Sequence, residues 1–388
     1  MPNCWVEVNL SAIENNYRAI QELVGEGVTV IAVLKANAYG HGAVEVARAL
    51  SQAGAKYLAV TRLEEAIPIR AAGVLTPILL LSPALPDEVH ELIPYRLTAC
   101  ISSFEDAERL SQAAQKQGGV ARAQLKIDTG MGRFGVAPEE AVEVARKITE
   151  LPGIELEAAW THFAFAAGEA RETPHVHQQF SFFQPLVHQV SLATGIPPNG
   201  FHCANSATIL RFPSMRLSCV RAGTILYGQM PSKLTAESAT QQRFTVENTF
   251  QAKARVLSIQ SIARGHSVGY GGEWIAPRDS KIATIGIGFA DGFAVEPQTR
   301  TEAPPVALKK TARQAALQMA QWTGLKGEGA ARTVTIRNQK APIVGRIAMQ
   351  SCAIDVSKIE GVEVGDEVLV FLRRTSAGAH LPRVYVRD

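Results

Sequence analysis

The chain has 388 residues, 46% hydrophobic and 19% charged, which is the composition of a folded globular protein rather than a disordered or fibrous one. Lys and Arg number 39 against 36 Asp and Glu, a net charge of only +3, and no basic run or aromatic–basic stripe points to nucleic acid. No apolar run approaches the roughly 20 residues of a membrane-crossing helix, and MPNCWVEVNLSAIENN has neither a basic start nor an apolar signal core, so a cytoplasmic protein is expected.

From about residue 10, helical and strand patterns alternate. SAIENNYRAIQELV reads as a helix with Ser11 as cap and Glu14 completing a capping box. VTVIAVL follows as a strand, AVEVARALSQAG as a helix stopped at Gly54, and KYLAV as a strand. LEEAIPIRAAG is a short helix containing Pro68, TPILLLS a strand, YRLTACI a strand and FEDAERLSQAAQKQG a helix. RAQLKID, IELEAAW, GFHCA and RLSCVRA complete the strands; between them lie PEEAVEVARKITEL, the helix HVHQQFSFFQPLVHQVSLATG interrupted by Pro185, and the short SATILRFP. Eight strands separated by helical material demand parallel pairing with crossovers, and the count suggests a closed (β/α)8 barrel of the TIM type. A doubly wound open sheet is the alternative, weakened because no GxGxxG follows the first strand.

Beyond about residue 240 the texture becomes β-branched and Gly-punctuated, as in SKIATIGIGF and GDEVLVFL, with one helical exception, ALKKTARQAALQMAQW. This predicts a barrel over 1–240 and a mainly-β C-terminal domain over 241–388, joined through the polar QMPSKLTAESATQQRF. Residues 3–9 form a first strand that pairs with the β domain. The cysteines Cys4, Cys100, Cys203, Cys219 and Cys352 are odd in number and lack metal-ligand spacing, so a reduced, metal-free protein is expected.

Barrel active sites lie at the C-terminal strand ends. Here those ends carry Lys35, Asn37, Tyr39 and His41 after the first strand, and Lys126 and Arg133 in and after the fifth. Thr161 and His162 follow the sixth, Asn205 and Ser206 the seventh, and Arg221, Gly223, Thr224 and Tyr227 the eighth. Singly each has a dull reading: Lys35 as the first wet residue after a strand, His162 as a structural histidine, Ser206 as a helix cap. Together on one rim they suggest a site. Ser206 at a helix start with the N–H groups of Gly223 and Thr224 suits a phosphate. A phosphate site, a strand-end lysine and no acidic or Cys/His metal set point to pyridoxal phosphate on a Schiff-base lysine.

The stretches AVLKANAYGHG, KIDTGMGRFG, THFA, ANSA, RAGTILYG, VGYGG, GFADGF and VGRIAMQSCAIDV, spread over nearly the whole chain, resemble the alanine racemase family of fold-type III pyridoxal-phosphate enzymes. The resemblance implies a barrel, a C-terminal β domain and a homodimer with shared active sites, acting on a small amino acid. By that likeness Lys35 would carry the cofactor and act as one base, and Tyr270 of the partner subunit would be the other. Two bases on opposite faces suit removal of a Cα proton from either enantiomer. Tyr39, Ser206, Gly223 and Thr224 would hold the phosphate. Arg221 would face the pyridine nitrogen, with His162 and Asn205 also at the cofactor. Arg133 would meet the cofactor phenolate and the substrate carboxylate, the backbone of Met349 from the partner subunit would meet that carboxylate too, and Lys126 matches a lysine that many members carbamylate.

Several positions depart from the family pattern: Gln350 in place of aspartate, Ala348 where cysteine or serine is common, Phe289 for an entrance tyrosine, Ala379 for a tyrosine ahead of Pro382-Arg383, and a rebuilt 301–332. They leave the reaction type standing and open the substrate to a broader or serine racemase. A non-catalytic cofactor-binding protein would need no Tyr270. A decarboxylase of this fold type would carry glutamate rather than Arg221 near the pyridine nitrogen and a catalytic cysteine in the β domain.

Overall fold

The computed structural model describes residues 2–295 and 333–387. The chain divides into two compact units. One comprises Val8–Phe250 with the chain from Tyr385 on; the other comprises the chain up to Glu7 with Gln251–Val384.

Strand β1 (Cys4–Asn9) leads into α1 (Leu10–Val24), whose Ile13, Tyr17, Ile20 and Val24 are buried at helical spacing. The helix starts earlier than its sequence suggests. Asn9, not Ser11, is the cap, and its side chain accepts the Ala12 N–H. Glu14 is instead drawn to Arg387.

The first unit is the expected closed barrel, and the open-sheet alternative is excluded. Its strands are β2 (Thr29–Val33), β3 (Tyr57–Val60), β4 (Ile78–Leu80), β5 (Leu97–Ile101), β6 (Ala121–Lys126), β7 (Ile154–Trp160), β8 (Phe201–Asn205) and β9 (Cys219–Ala222). Each runs parallel to the next, and β9 closes on β2 from Thr29↔Cys219 to Ala32↔Ala222. Ile31, Val33, Ala59 and Leu79 form a buried cluster inside it. These strands are apolar almost throughout because both of their faces are covered.

After β2 come α2 (Lys35–Tyr39) and α3 (Ala43–Gln52), then α4 (Leu63–Ala71), α5 (Phe104–Lys116), α6 (Ala141–Thr149), α7 (Thr173–Thr194), α8 (Ser206–Arg211) and α9 (Lys233–Gln241). Two of these differ from the sequence reading. Helix α7 runs unbroken through Pro185, because its buried stripe of Val176, Phe183, Leu186 and Val190 continues on both sides. Burial of those side chains, at roughly 1.5–3 kcal/mol each, outweighs the ~3 kcal/mol an internal proline costs. The polar stretch expected to be a linker holds α9, whose N-terminus is capped by the Ser232 hydroxyl accepting from Thr235 N.

The second unit is built on an eight-stranded sheet among the described residues, in the order β13-β16-β15-β14-β17-β10-β1-β18. Its strands are β10 (Phe250–Ile262), the small hairpin β11 (Ser267–Val268) and β12 (Trp274–Ile275), β13 (Ser280–Ile285), β14 (Thr333–Ile336), β15 (Gln339–Val344), β16 (Cys352–Asp355), β17 (Glu367–Val370) and β18 (Arg383–Val386). The long β10 pairs with β17 through its first half and with β13 through its second, antiparallel in both cases. Phe250, Ala252, Ala254 and Val256 alternate inward along it. The helix expected over 307–322 and the rebuilt stretch 301–332 lie outside the described residues.

Truncating Ile31 to Ala in the barrel cluster is expected to cost about 2–5 kcal/mol, because the packed strands cannot collapse into the cavity left behind. Urea unfolding followed by far-UV circular dichroism measures it, and a loss under ~1 kcal/mol would mean that the cluster is not part of the core.

Candidate active site

Lys35 follows the buried Leu34 directly and opens a turn of unusual backbone. Ala36, Asn37, Ala38 and Tyr39 have φ of 52°, 55°, 53° and 53°, a short run of left-handed helix built from residues with side chains. Each such residue costs roughly 1–2 kcal/mol, so the turn must be held from outside. Glu65, at the start of α4, accepts the Ala36 N–H through Oε1 at 2.6 Å and the Thr61 N–H through Oε2 at 2.8 Å. The Asn37 side-chain oxygen accepts the Ala43 N–H at 2.7 Å, tying the turn to the next helix. His41 is fully buried, with Nδ1 2.9 Å from Ala38 O, Nε2 2.9 Å from Thr249 Oγ1, and its ring stacked on Tyr227 at 4.6 Å. His41 therefore buttresses the turn.

Above the strands lies a cavity of about 270 Å³ lined by barrel residues. It gathers Lys35, Tyr39, Arg133, His162, Asn205, Ser206, Arg221, Gly223 and Thr224 at one mouth. Among the described residues no Asp or Glu lines it. Ser206 is not a helix cap: Asn205 takes that role, its Oδ1 accepting from Ala207 N and Thr208 N, which leaves the Ser206 hydroxyl to accept the Gly223 N–H at 2.9 Å. A Cβ on Gly223 would stand 2.5 Å from the Tyr39 hydroxyl, so only glycine lets Tyr39, Ser206 and the 223–224 backbone converge.

Arg133 is exposed, at the tip of the loop after β6. That loop folds around Asp128, whose carboxylate accepts the N–H groups of Gly130, Met131 and Gly132 at 2.7–3.0 Å. Gly135, at φ 127°, brings the chain back so that Val136 N donates to Lys126 O; a Cβ there would lie 2.9 Å from that same carbonyl.

The electrostatics follow from crowding cations around a cavity whose described lining holds no carboxylate. Arg221 is 3% exposed; Nη2 donates to Thr161 O at 2.7 Å and Cys203 O at 3.1 Å, and Nη1 donates to His202 Nδ1. Its guanidinium lies 4.8 Å over the Trp160 ring. Burial pulls the Arg221 pKa down to about 10. His162 is held well below the ordinary histidine range by burial and then by Arg221 and Arg133, so its ring is neutral. Lys35 is lowered first by burial and then by Arg133, with Glu65 opposing. Tyr39 is pushed up to about 12 by burial and stays a hydroxyl.

Lys126, the last residue of β6, is 1% exposed, with its ammonium donating to Ile127 O at 2.6 Å and lying 5.3 Å over Trp160. Burial lowers its pKa to about 8, against the pull of Asp128.

Tyr270 and Met349 belong to the β unit. Tyr270 follows β11 in the hairpin and is 71% exposed; Met349 is 63% exposed in the loop before β16. The GFADG turn holds that loop: Phe289 N donates to Ala348 O and Ala290 N to Met349 O at 2.9 Å. Phe289 and Gln350 are also exposed.

Residues 8–231 match the model of the alanine racemase N-terminal domain, and residues 249–381 that of the C-terminal domain. The chain belongs to the alanine racemase family. It is 35% identical over 379 residues to an alanine racemase of Desulforamulus reducens, covering 97% of this chain and 91% of that one. It is likewise 35% identical over 368 residues to an alanine racemase of Methanococcus maripaludis, covering 95% and 88%. Among solved structures, an alanine racemase of Clostridium difficile superposes with a TM-score of 0.85 at 29% identity, over 100% of this chain and 97% of that one. An alanine racemase of Bacillus anthracis with bound L-Ala-P gives 0.81 at 27%, over 100% and 96%. Among the described residues, no helix is long and apolar enough to cross a membrane.

Three residues at or behind this rim were not singled out from sequence. Glu65 had a signal, as the third residue of α4 and a natural partner for free N–H groups. His202 and Gln124 had none, because polar residues inside apolar strands read as pattern noise.

Burial of Lys126 has a measurable consequence. Its folded pKa lies below the unfolded value, so the unfolded chain binds the extra proton between about pH 8 and pH 10.5. Within that window stability rises with pH, and below pH 8 the penalty is complete. In carbonate-free buffer, Lys126→Met is expected to stabilise the protein at pH 7, relative to its effect at pH 10.5, by roughly 3 kcal/mol. Denaturant titrations at the two pH values check it; an effect independent of pH would refute it.

Proposed function

We propose that the chain is a pyridoxal-phosphate-dependent racemase that interconverts L- and D-alanine. The observation that carries this reading is the mouth of the barrel, where a lysine of lowered pKa, a hydroxyl and backbone cradle and a carboxylate-free guanidinium face one cavity. The residues present fit the cofactor. Tyr39, Ser206 and the 223–224 backbone offer neutral donors for a phosphate at the one position where a Cβ would fill the cradle. Lys35 stands at the same mouth to hold an aldehyde. When bound, pyridoxal phosphate withdraws electrons from an attached amino acid and so acidifies its Cα–H.

The chain's own groups supply the rest. Lys35 Nζ, its charged form disfavoured by burial and by Arg133 and Arg221, gives up its proton more readily than a free lysine and so can accept and return a proton. Arg221, a donor with no proton to lose readily, presents N–H groups rather than a carboxylate toward the pyridine side. That limits electron withdrawal and favours prompt return of the proton over side reactions. His162 stays neutral beside it. Arg133 orients the substrate carboxylate, together with the Met349 backbone of a second copy of the chain. Tyr270 from a second copy of the chain serves the opposite face, which makes the enzyme a homodimer with shared sites, placed in the cytoplasm. The neutral amine that burial favours at Lys126 is the form that reacts with carbon dioxide, which supports a carbamate there.

Phe289, Ala348, Gln350 and Ala379 favour a second reading, a racemase of broader range including serine. Each replaces a polar group of the family pattern by an apolar or uncharged one on the entrance and carboxylate side, where a larger side chain would enter.

The purified protein with added pyridoxal phosphate is expected to show a visible absorbance abolished by borohydride and to erase the optical rotation of L-alanine. Polarimetry with L-alanine, L-serine and L-lysine ranks the substrates; rotation that persists with all three sinks the racemase reading. Lys35→Ala should lower kcat by on the order of 1,000-fold. Mixing inactive Lys35→Ala with inactive Tyr270→Phe should restore about one working site per mixed dimer, and no recovery would mean that each site is built within one chain.

A further inference from the structure

Barrel interiors are ordinarily filled by layers of branched apolar side chains. Here a polar line runs through that core. Arg221 of β9 bonds His202 of β8, which is 3.0 Å from Gln124 of β6; Gln124 Nε2 lies 2.8 Å from Glu157 of β7, and the Tyr57 hydroxyl of β3 bonds the same Glu157 oxygen. His202 and Gln124 are 1% and 3% exposed.

The direction of every hydrogen follows from what each group can do. A guanidinium only donates, so His202 Nδ1 must accept and Nε2 must carry the hydrogen. That hydrogen goes to Gln124 Oε1, which turns the Gln124 amide nitrogen toward Glu157. A carboxylate only accepts, so Gln124 and Tyr57 both donate to it. Burial and Arg221 keep His202 far below the ordinary histidine range, in keeping with a neutral ring. Burial and then Glu157 push the Tyr57 hydroxyl up, so it keeps its proton to give.

We infer that Glu157 is the remote counter-charge of Arg221, and that Gln124 and His202 are positioning residues that pass its polarity across the barrel to hold the guanidinium in place. From Arg221 through His202 and Gln124 the donors point one way, from a buried cation to a carboxylate two residues removed. A carboxylate in direct contact would neutralise Arg221 and draw it from the cavity. Relayed through neutral groups, the negative charge anchors the Nη1 side while the guanidinium keeps its charge at the mouth. The effect on rate rests on the racemase reading; the hydrogen-bond chain does not.

The test has two parts. In the full-length protein with selectively ¹⁵N-labelled histidine, with and without pyridoxal phosphate, the His202 ring (assigned by its loss in His202→Gln) should show a protonated Nε2 and an unprotonated Nδ1, with no titration across the neutral range. A protonated Nδ1 overturns the inference, whatever the activity. For the rate, Glu157→Gln keeps the acceptor oxygen and removes only the charge: racemisation kcat should fall about tenfold with KM nearly unchanged, an effect like that of outer partners of metal-binding side chains. A kcat equal to the parent's overturns the counter-charge role. Gln124→Glu sets a carboxylate against His202 Nε2, charges the ring, and turns Nδ1 into a donor facing Arg221. Its kcat should fall further and recover as pH rises, whereas a merely structural role predicts the parent's pH profile. If Gln124→Glu fails to fold, Glu157→Gln and the spectrum of the unaltered protein still decide. A parent protein that racemises nothing refutes the proposed function and leaves the spectrum to judge the chain of hydrogen bonds.

Discussion

A buried guanidinium without a carboxylate beside it sets the terms for the barrel mouth. Arg221 gives up its hydration and receives carbonyl oxygens, an imidazole nitrogen and an indole face in return. Because none of these groups carries a negative charge, the positive field is not spent locally. It reaches His162, which it helps keep neutral, and Lys35, whose ammonium it disfavours. Arg133 adds to the same field. Acid–base readiness at this rim is thus a property of a cluster in which like charges are held close by backbone, with their counter-charges set back from the cavity.

Holding that cluster requires rigid strand ends. The barrel closes on β2 and β9, so Lys35 and Arg221 emerge from neighbouring strands. The left-handed turn then swings Tyr39 back so that its hydroxyl sits against Gly223. Glu65 and Asp128 act as small clamps, each gathering backbone N–H groups of a loop that would otherwise be loose. These acidic residues near the rim are therefore occupied in shaping it, and among the described residues no acid lines the cavity.

Much of this was legible from residue order. Alternating strands and helices imply a barrel because parallel pairing needs crossovers, and the polar residues after each strand fall on one rim because strand ends share a face. What was not legible shares a common cause. Helix α7 passing through Pro185, the Asn9 cap and the helix α9 in a polar stretch depend on packing or capping partners that local pattern does not weigh. A serine at a helix start suits a cap as well as a ligand, and only the neighbouring Asn205, by taking the cap, frees Ser206. The line from Arg221 to Glu157 joins residues from five strands, so it has no spacing to read along the chain.

The turn at Ala36–Tyr39 has a further consequence, for the range of sequences this site can accept. A mirror-image helical run is open to glycine, asparagine and, at a cost, alanine, but it is closed to valine, isoleucine and threonine, whose branched Cβ meets the backbone there. The alphabet at these positions is restricted by handedness before any ligand is considered. Variation that reshapes substrate choice is therefore channelled away from the lysine's own loop and into segments with ordinary backbone, and the departures at Phe289, Ala348 and Gln350 lie in such segments.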